Sequence, residues 1–210
     1  MGRHLATHTS DRLVIEYGVA GRPVTGESLS GDGFVVQASD ESTLVGVLDG
    51  LGHGPEAAEA TGRATEFLSD HADEPLVSLI EGCHRALRKT RGVVLALAHL
   101  DAQENAMTWL GVGNVDARVF RSGSRWGQSD TLVMRGGVVG YQIPPLQPRP
   151  LNIQDGDFLV MATDGIRSSY HQALSPLQTV QDNANRVLAG YGNHSDDALV
   201  LVSRLIGEST

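Results

Sequence analysis

The chain of 210 residues contains a single cysteine, Cys83, so it cannot form an internal disulfide framework. Such sparse use of cysteine is typical of proteins in a reducing compartment. Basic residues are also scarce: 16 Lys and Arg stand against 25 Asp and Glu, for a formal net charge of −9 at pH 7. Proteins that bind nucleic-acid phosphates need a positive surface, so we expect no nucleic-acid partner.

Long hydrophobic runs are missing as well. The longest apolar stretches, "GVVLALAHL" and "ALVLVSRLI", are too short to span a bilayer, so we expect no membrane partner. The first residues, "MGRHLATHTSDR", lack the apolar stretch of a signal peptide. We therefore expect a cytoplasmic protein.

Hydrophobic periodicity predicts strands, then two helices, then many strands, one further helix and a last strand. This order is typical of an α+β fold in which helices cover antiparallel sheets, and the length fits one domain over residues 1–210. The predicted strands are 12–20, 34–38, 44–48, 93–100, 106–112, 116–121, 132–135, 158–162 and 198–205. The predicted helices are 54–69, 76–88 and 172–189.

Acidic residues stand repeatedly at the ends of predicted strands. Asp49 ends an apolar strand in "VGVLDGLGHG", and Asp164 ends another in "DFLVMATDGI". Asp196 and Asp197 directly precede the last strand in "SDDALVLV", and Asp32 precedes a strand in "SGDGF". Strand ends from separate segments can meet at one edge of a folded sheet, where several carboxylates would repel one another.

A divalent cation would offset that repulsion. Oxygen ligands without a Cys or His pair favour a hard ion such as Mg²⁺ or Mn²⁺, and the Gly50 carbonyl could be a further ligand. Two such ions could bind a phosphoryl group and activate a water for in-line attack. The alternative is that each Asp-Gly pair is an ordinary turn, and periodicity alone does not decide between these readings.

The motifs "SGDGF", "VLDGLGHG", "GVGNVDARVF", "DGDFLVMATDGI" and "SDDALVLV" resemble, in order and spacing, the metal-dependent PPM protein serine/threonine phosphatases. The likeness runs from Asp32 to Ser203 and is strongest to the small bacterial branch of sporulation and stress-response phosphatases. It implies a four-layer αββα sandwich, with two antiparallel sheets flanked by helices. A bare catalytic domain of this size is similar to stressosome phosphatases, which implies phosphorylated stressosome scaffold proteins as substrates.

The resemblance also implies roles for the acidic residues. Asp49 would bridge two Mn²⁺ or Mg²⁺ ions, and the Gly50 carbonyl would bind one of them. Asp164 and Asp196 would complete the other ion, and Asp32 would approach a metal directly or through water. Asp197 would turn inward to the loop, with a role as ligand as its alternative. Asp49, Asp164 and Asp196 would thus be the catalytic residues, and a water activated by the metals would attack phosphorus without a phosphoenzyme.

Four positions depart from this pattern or leave a role open. Leu51 stands where many members have a histidine that is often described as the general acid. For His53 we expect a role in shaping the loop, with proton transfer as the alternative. Arg22 is a candidate phosphate ligand or a solvated loop arginine. Leu199 replaces a common threonine and is expected to face the core, while "GVGN" is expected to form a tight turn.

Two other functions remain open at this point. One is a pseudophosphatase that binds a phosphoprotein without cleaving it, which Leu51 favours and the retained bridging residues oppose. The other is an enzyme that hydrolyses a small phosphoester.

Overall fold

Two antiparallel sheets stacked face to face form the centre of the molecule, whose computed structural model describes residues 4–6, 14–39, 42–101, 105–123 and 128–206. In spatial order, the first sheet contains β1 (His4–Ala6), β2 (Val14–Arg22), β11 (Ala198–Ile206), β10 (Phe158–Ala162), β7 (Asp116–Phe120) and β8 (Ser129–Thr131). The second contains β3 (Asp32–Ala38), β4 (Ser42–Gly50), β5 (Val93–Asp101), β6 (Ala106–Val112) and β9 (Arg149–Asn152).

Helices cover the outer face of each sheet. Against the second sheet pack α1 (Pro55–Asp70) and α2 (Leu76–Ala86), while α3 (Val180–Tyr191) and the 3₁₀ helix Ser168–Ala173 pack against the first. The expected four-layer αββα sandwich of the α+β class is confirmed. No helix in the described part of the chain is both long and apolar enough to cross a membrane.

The central strands are buried on both faces because each sheet lies between a helix layer and the other sheet. In β4, Val45 and Val47 point into the core between the sheets, whereas Leu44 and Leu48 point toward the helices. Leu199 of β11 lies in the central core at 7% exposure, which confirms that this position packs as an apolar residue. Alternation along each strand therefore fixes which side chains at the strand ends face the opposite sheet.

The predicted strand at 132–135 is wrong. The strand at this point is β8, and the Leu132 N–H donates to the Ala117 carbonyl at 2.9 Å as the ladder with β7 ends. The chain then crosses to the second sheet, where the Arg135 carbonyl accepts from the Gly113 N–H at 2.8 Å. Residues 132–135 have the apolar pattern of a strand because Leu132 and Met134 pack against the core as the chain crosses between the sheets.

The predicted helix at 172–189 begins too early. Residues 174–179 are not helical, and α3 starts after Thr179, whose side chain accepts a hydrogen bond from the Asp182 N–H. Such a cap satisfies one of the unpaired donors of the first turn and so defines the helix start. The Pro-rich segment "PPLQPRP", residues 144–150, runs into β9, which lies at the edge of its sheet, where proline is tolerated.

Candidate metal centre

Asp32 and Asp49 lie opposite each other where two neighbouring strands meet the sheet edge. β3 begins at Asp32, and the register of β3 and β4 pairs this residue with Asp49. Directly opposed residues of antiparallel strands project to the same face. The alternation that turns Val45 and Val47 into the central core also turns Asp49 toward the first sheet.

The end of β10 brings a third acidic residue to this place from the other sheet. The Thr163 hydroxyl donates to Asp32 Oδ2 at 2.8 Å and so links the two sheets. The next residue is Asp164, and its Oδ2 accepts a hydrogen bond of 2.8 Å from Asn114 Nδ2 in the turn between β6 and β7. The Thr163 hydrogen bond therefore brings Asp32 and Asp164, which are about 130 residues apart in sequence, close together in the fold.

The segment before β11 supplies two acids with different environments. Asp197 is buried, and its two oxygens accept hydrogen bonds of 2.7 Å from the N–H groups of Val24 and Gly31. Both bonds tie down the loop between β2 and β3, which confirms the prediction that Asp197 turns inward. Asp196 keeps its side chain at the cleft and accepts one bond of 2.9 Å from the Asp197 N–H.

The electrostatics of these groups reflect burial and mutual repulsion. Burial, followed by Asp49, raises the pKa of Asp32 to about 8, against the lowering effect of the Thr163 hydrogen bond. Burial and then the nearby Asp164 and Asp196 raise the pKa of Asp49 to about 7. The pKa of Asp196 is raised as well, first by burial. Carboxylates with such raised pKa values are stabilised by a nearby cation, so their environment fits a divalent ion.

A cleft of about 250 Å³ joins the predicted ligands from three segments: Asp49, Asp164 and Asp196 all line it, together with Leu51, Gly52, Val94, Asn114 and Val138. Asp32 lines a neighbouring groove instead, and Gly50 lies behind the lining, packed against α1. Among the described residues, no three His, Cys, Asp or Glu side chains form a ready-made ligand cluster. A bound cation would offset the repulsion between these carboxylates.

His53 is held at the rim by an acidic partner. Its Nδ1 lies 3.3 Å from Glu27 Oε1, and both side chains are well exposed. This contact joins the loop before α1 to the loop before β3, as expected for a residue that shapes the loop. Arg22 lies elsewhere: its Nη1 is 2.8 Å from Nδ1 of His194, on the side of the sheet that α3 covers. The geometry therefore does not support Arg22 as a phosphate ligand.

Sequence reasoning identified the "GVGN" turn but not the role of its last residue. Asn114 lines the cleft and donates to Asp164, so it can set the orientation of a predicted ligand. The sequence did contain a signal: Asn114 has an amide side chain and stands just before β7, the strand that pairs with β10 and so lies next to Asp164. Hydrogen bonds of this kind to a metal ligand orient it and tune its affinity for the ion.

We expect Asn114→Ala to weaken Mn²⁺ binding about tenfold, because Asp164 loses the bond that orients it. The measurement is a Mn²⁺ titration followed by the rise in melting temperature. Asn185→Ala is the matched control, since Asn185 bonds to Gln181 on α3, away from the cleft. Equal Mn²⁺ affinity of the two variants would show that the Asn114 bond does not position the ligand.

Comparison with known proteins agrees with this geometry. The family model for stage II sporulation protein E (SpoIIE) matches residues 39–206. Phosphoserine phosphatase RsbX of Bacillus subtilis (strain 168) is 25% identical over 181 residues, which cover 86% of this chain and 89% of RsbX. The resemblance inferred from the motifs is confirmed.

Solved structures share the fold over most of the chain. A chain from work on the bacterial stressosome as "a modular system that has been adapted to control secondary messenger signaling" is 29% identical, with a TM-score of 0.82. The match covers 90% of this chain and 99% of that one. A crystal structure of RsbX in complex with magnesium is 22% identical, covers 96% of this chain and 100% of its own, and has a TM-score of 0.80. The chain described here belongs to the SpoIIE family.

Proposed function

We propose that this chain hydrolyses phosphoserine or phosphothreonine on partner proteins with the help of bound Mn²⁺ or Mg²⁺. The observation that carries the proposal is the meeting of Asp49, Asp164 and Asp196, from three separate segments, in one cleft. Membership of the SpoIIE family and the likeness to a phosphoserine phosphatase support it. The likeness to RsbX and to a chain from work on the stressosome supports phosphorylated stressosome scaffold proteins as substrates in the cytoplasm.

The donor set fits two hard cations. Asp49 would contribute to both ions, the Gly50 carbonyl to one, and Asp164 and Asp196 to the other, with Asp32 beside them directly or through water. When bound, such ions would polarise the phosphoryl group and lower the pKa of a coordinated water. Carboxylate and carbonyl oxygens are the ligands that Mg²⁺ and Mn²⁺ prefer.

The remaining residues of the site hold this donor set in place. Asp197 fixes the loop that carries Gly31 next to Asp32, and Asn114 orients Asp164. The Leu51 side chain is 37% exposed at the cleft and has no proton to donate. His53 pairs with Glu27 and is not among the residues that line the cleft, so the leaving serine or threonine oxygen would take its proton from water.

Release of phosphate from a phosphoserine peptide tests the proposal. We expect hydrolysis that requires Mn²⁺ or Mg²⁺, stops in EDTA, and is far faster for the peptide than for free phosphoserine. Peptide binding without metal-dependent release would instead support the pseudophosphatase that Leu51 favours. Equal rates on the peptide and on free phosphoserine would indicate a small-molecule phosphoesterase.

A further inference from the structure

Within the described part of the chain, no positive side chain lines the cleft. The residues that form its lining include three carboxylates and no Lys, Arg or His. A phosphoserine carries a charge of about −1.5 to −2 at pH 7, so a basic group at the rim would favour its binding. Arg22 lies on the α3 side of the sheet, bonded to His194, and cannot supply that group from there.

Arg91 lies against the cleft wall. It lies in the loop between α2 and β5, and its Nη1 is 3.5 Å from the Leu51 carbonyl oxygen. A Cβ added at Gly52 would be only 2.6 Å from this same Nη1, so the guanidinium rests directly on the glycine. Leu51 and Gly52 both line the cleft, so Arg91 contacts residues that form the cleft wall.

The loop that carries Arg91 is itself tied to the end of β4, which carries Asp49. The Leu51 N–H donates to the Gly92 carbonyl at 3.1 Å, and Val93 pairs with Gly50 in the ladder of β4 and β5. These contacts hold the Arg91 backbone beside the end of β4, and the Arg91 side chain is about half exposed.

Glu56 is the present partner of Arg91. Its carboxylate, in the first turn of α1, forms an ion pair with Arg91 Nη2, and both side chains are largely exposed. Exposed ion pairs of this kind contribute little to stability. A phosphate can pair with the guanidinium through two oxygens, as a carboxylate can, and it carries a larger negative charge of about −1.5 to −2 at pH 7.

We propose that Arg91 binds the phosphate oxygens of the substrate at the rim of the cleft and gives up Glu56 when it does so. The inference rests on the proposed function and deepens it: the ligand is the phosphate of a phosphoserine or phosphothreonine. Glu56 then competes with the substrate for Arg91, so the two residues act in opposite directions on substrate binding.

Steady-state kinetics on a phosphoserine peptide with saturating Mn²⁺ test the pair. We expect Arg91→Ala to raise KM about tenfold or more with little change in kcat. The reason is that the bond from Arg91 to the charged phosphate is lost equally from the bound substrate and from the transition state. Arg91→Lys should restore part of the affinity, and Glu56→Gln should lower KM several-fold. Inorganic phosphate should inhibit Arg91→Ala more weakly than wild type by a similar factor.

Arg63→Ala is the matched control. Arg63 pairs with Glu59 at 2.7 Å on α1 and is exposed to a similar degree. Arg91, by contrast, contacts Leu51 and Gly52 of the cleft wall. Wild-type KM in both Arg91→Ala and Glu56→Gln, or equal effects of Arg91→Ala and Arg63→Ala, would overturn the role of Arg91. Melting temperatures of all variants identify any that fail to fold, and the opposite sign expected for Glu56→Gln keeps the inference testable in that case.

Calorimetric binding of inorganic phosphate to the Mn²⁺-loaded protein separates the two proposals. If wild type binds phosphate but does not hydrolyse the peptide, the proposed function is wrong, and weaker phosphate binding by Arg91→Ala still supports Arg91. If wild type hydrolyses the peptide and Arg91→Ala binds phosphate equally well, only the inference about Arg91 is wrong.

Discussion

Replacing Asp49 with Asn is expected to reduce metal-dependent hydrolysis by at least about a thousandfold. Asp49 faces Asp32 across the strand pair and lines the cleft with Asp164 and Asp196, so it is the group best placed to contact two ions. An amide binds such ions more weakly, and loss of their charge stabilisation costs several kcal/mol of barrier, at about 1.4 kcal/mol per tenfold. The measurement is kcat/KM on a phosphoserine peptide across a Mn²⁺ titration.

Asp70→Asn is the control, because Asp70 is exposed at the end of α1, away from the cleft. It removes the same charge and should leave hydrolysis close to wild type. Full activity of Asp49→Asn with excess Mn²⁺ would exclude the bridging role and the mechanism built on it.

The same substitution should stabilise the metal-free protein. The pKa of Asp49 rises from 3.8 to about 7 on folding, so the folded state binds this proton more tightly than the unfolded state. The destabilisation of the folded state by the Asp49 charge is absent below about pH 4. It grows as the pH rises to about 7 and is then constant. In EDTA at pH 8 we expect Asp49→Asn to be more stable by about 2–4 kcal/mol. A denaturation series at pH 4 and pH 8 measures the difference, and an equal effect at both pH values would contradict it.

Gly165→Ala is expected to destabilise the fold by at least about 3 kcal/mol and to remove metal binding. A Cβ at this position would lie 1.8 Å from the Asp197 carbonyl oxygen, which is backbone and cannot rotate away. The ends of β10 and β11 would have to separate, and these ends carry Asp164 and Asp197. In a chain of this length the melting temperature should fall by roughly 10 °C.

Gly62→Ala provides the matched comparison. Gly62 lies within α1, and a Cβ there would meet no atom within 4 Å. Alanine favours a helix over glycine by about 1 kcal/mol, so this variant should be slightly more stable. Similar melting temperatures for the two variants would show that the approach of the strand ends is not what requires glycine at position 165.

Local patterns predicted most of the elements because their causes are local. Alternating apolar residues mark β4 and β5, and Pro55 in the first turn marks the start of α1. The segments that were predicted wrongly or not at all are those whose conformation depends on contacts between residues distant in sequence. Residues 132–135 cross from one sheet to the other, and β9 is a strand only because β6 offers it an edge.

The sequence by itself determined the α+β class, with helices over antiparallel sheets, and which acids stand at strand ends, since periodicity and chain order specify both. The four-layer arrangement followed from the resemblance of the motifs to the PPM phosphatases. Only the tertiary structure decided which of these acids share the cleft. Asp164 joins Asp49 because Thr163 reaches across the sheets to Asp32, and Asp197 turns away because the N–H groups of Val24 and Gly31 need an acceptor. Asn114 and Arg91 acquire their places beside the cleft through contacts between segments that are distant in the chain, and no local pattern encodes such contacts.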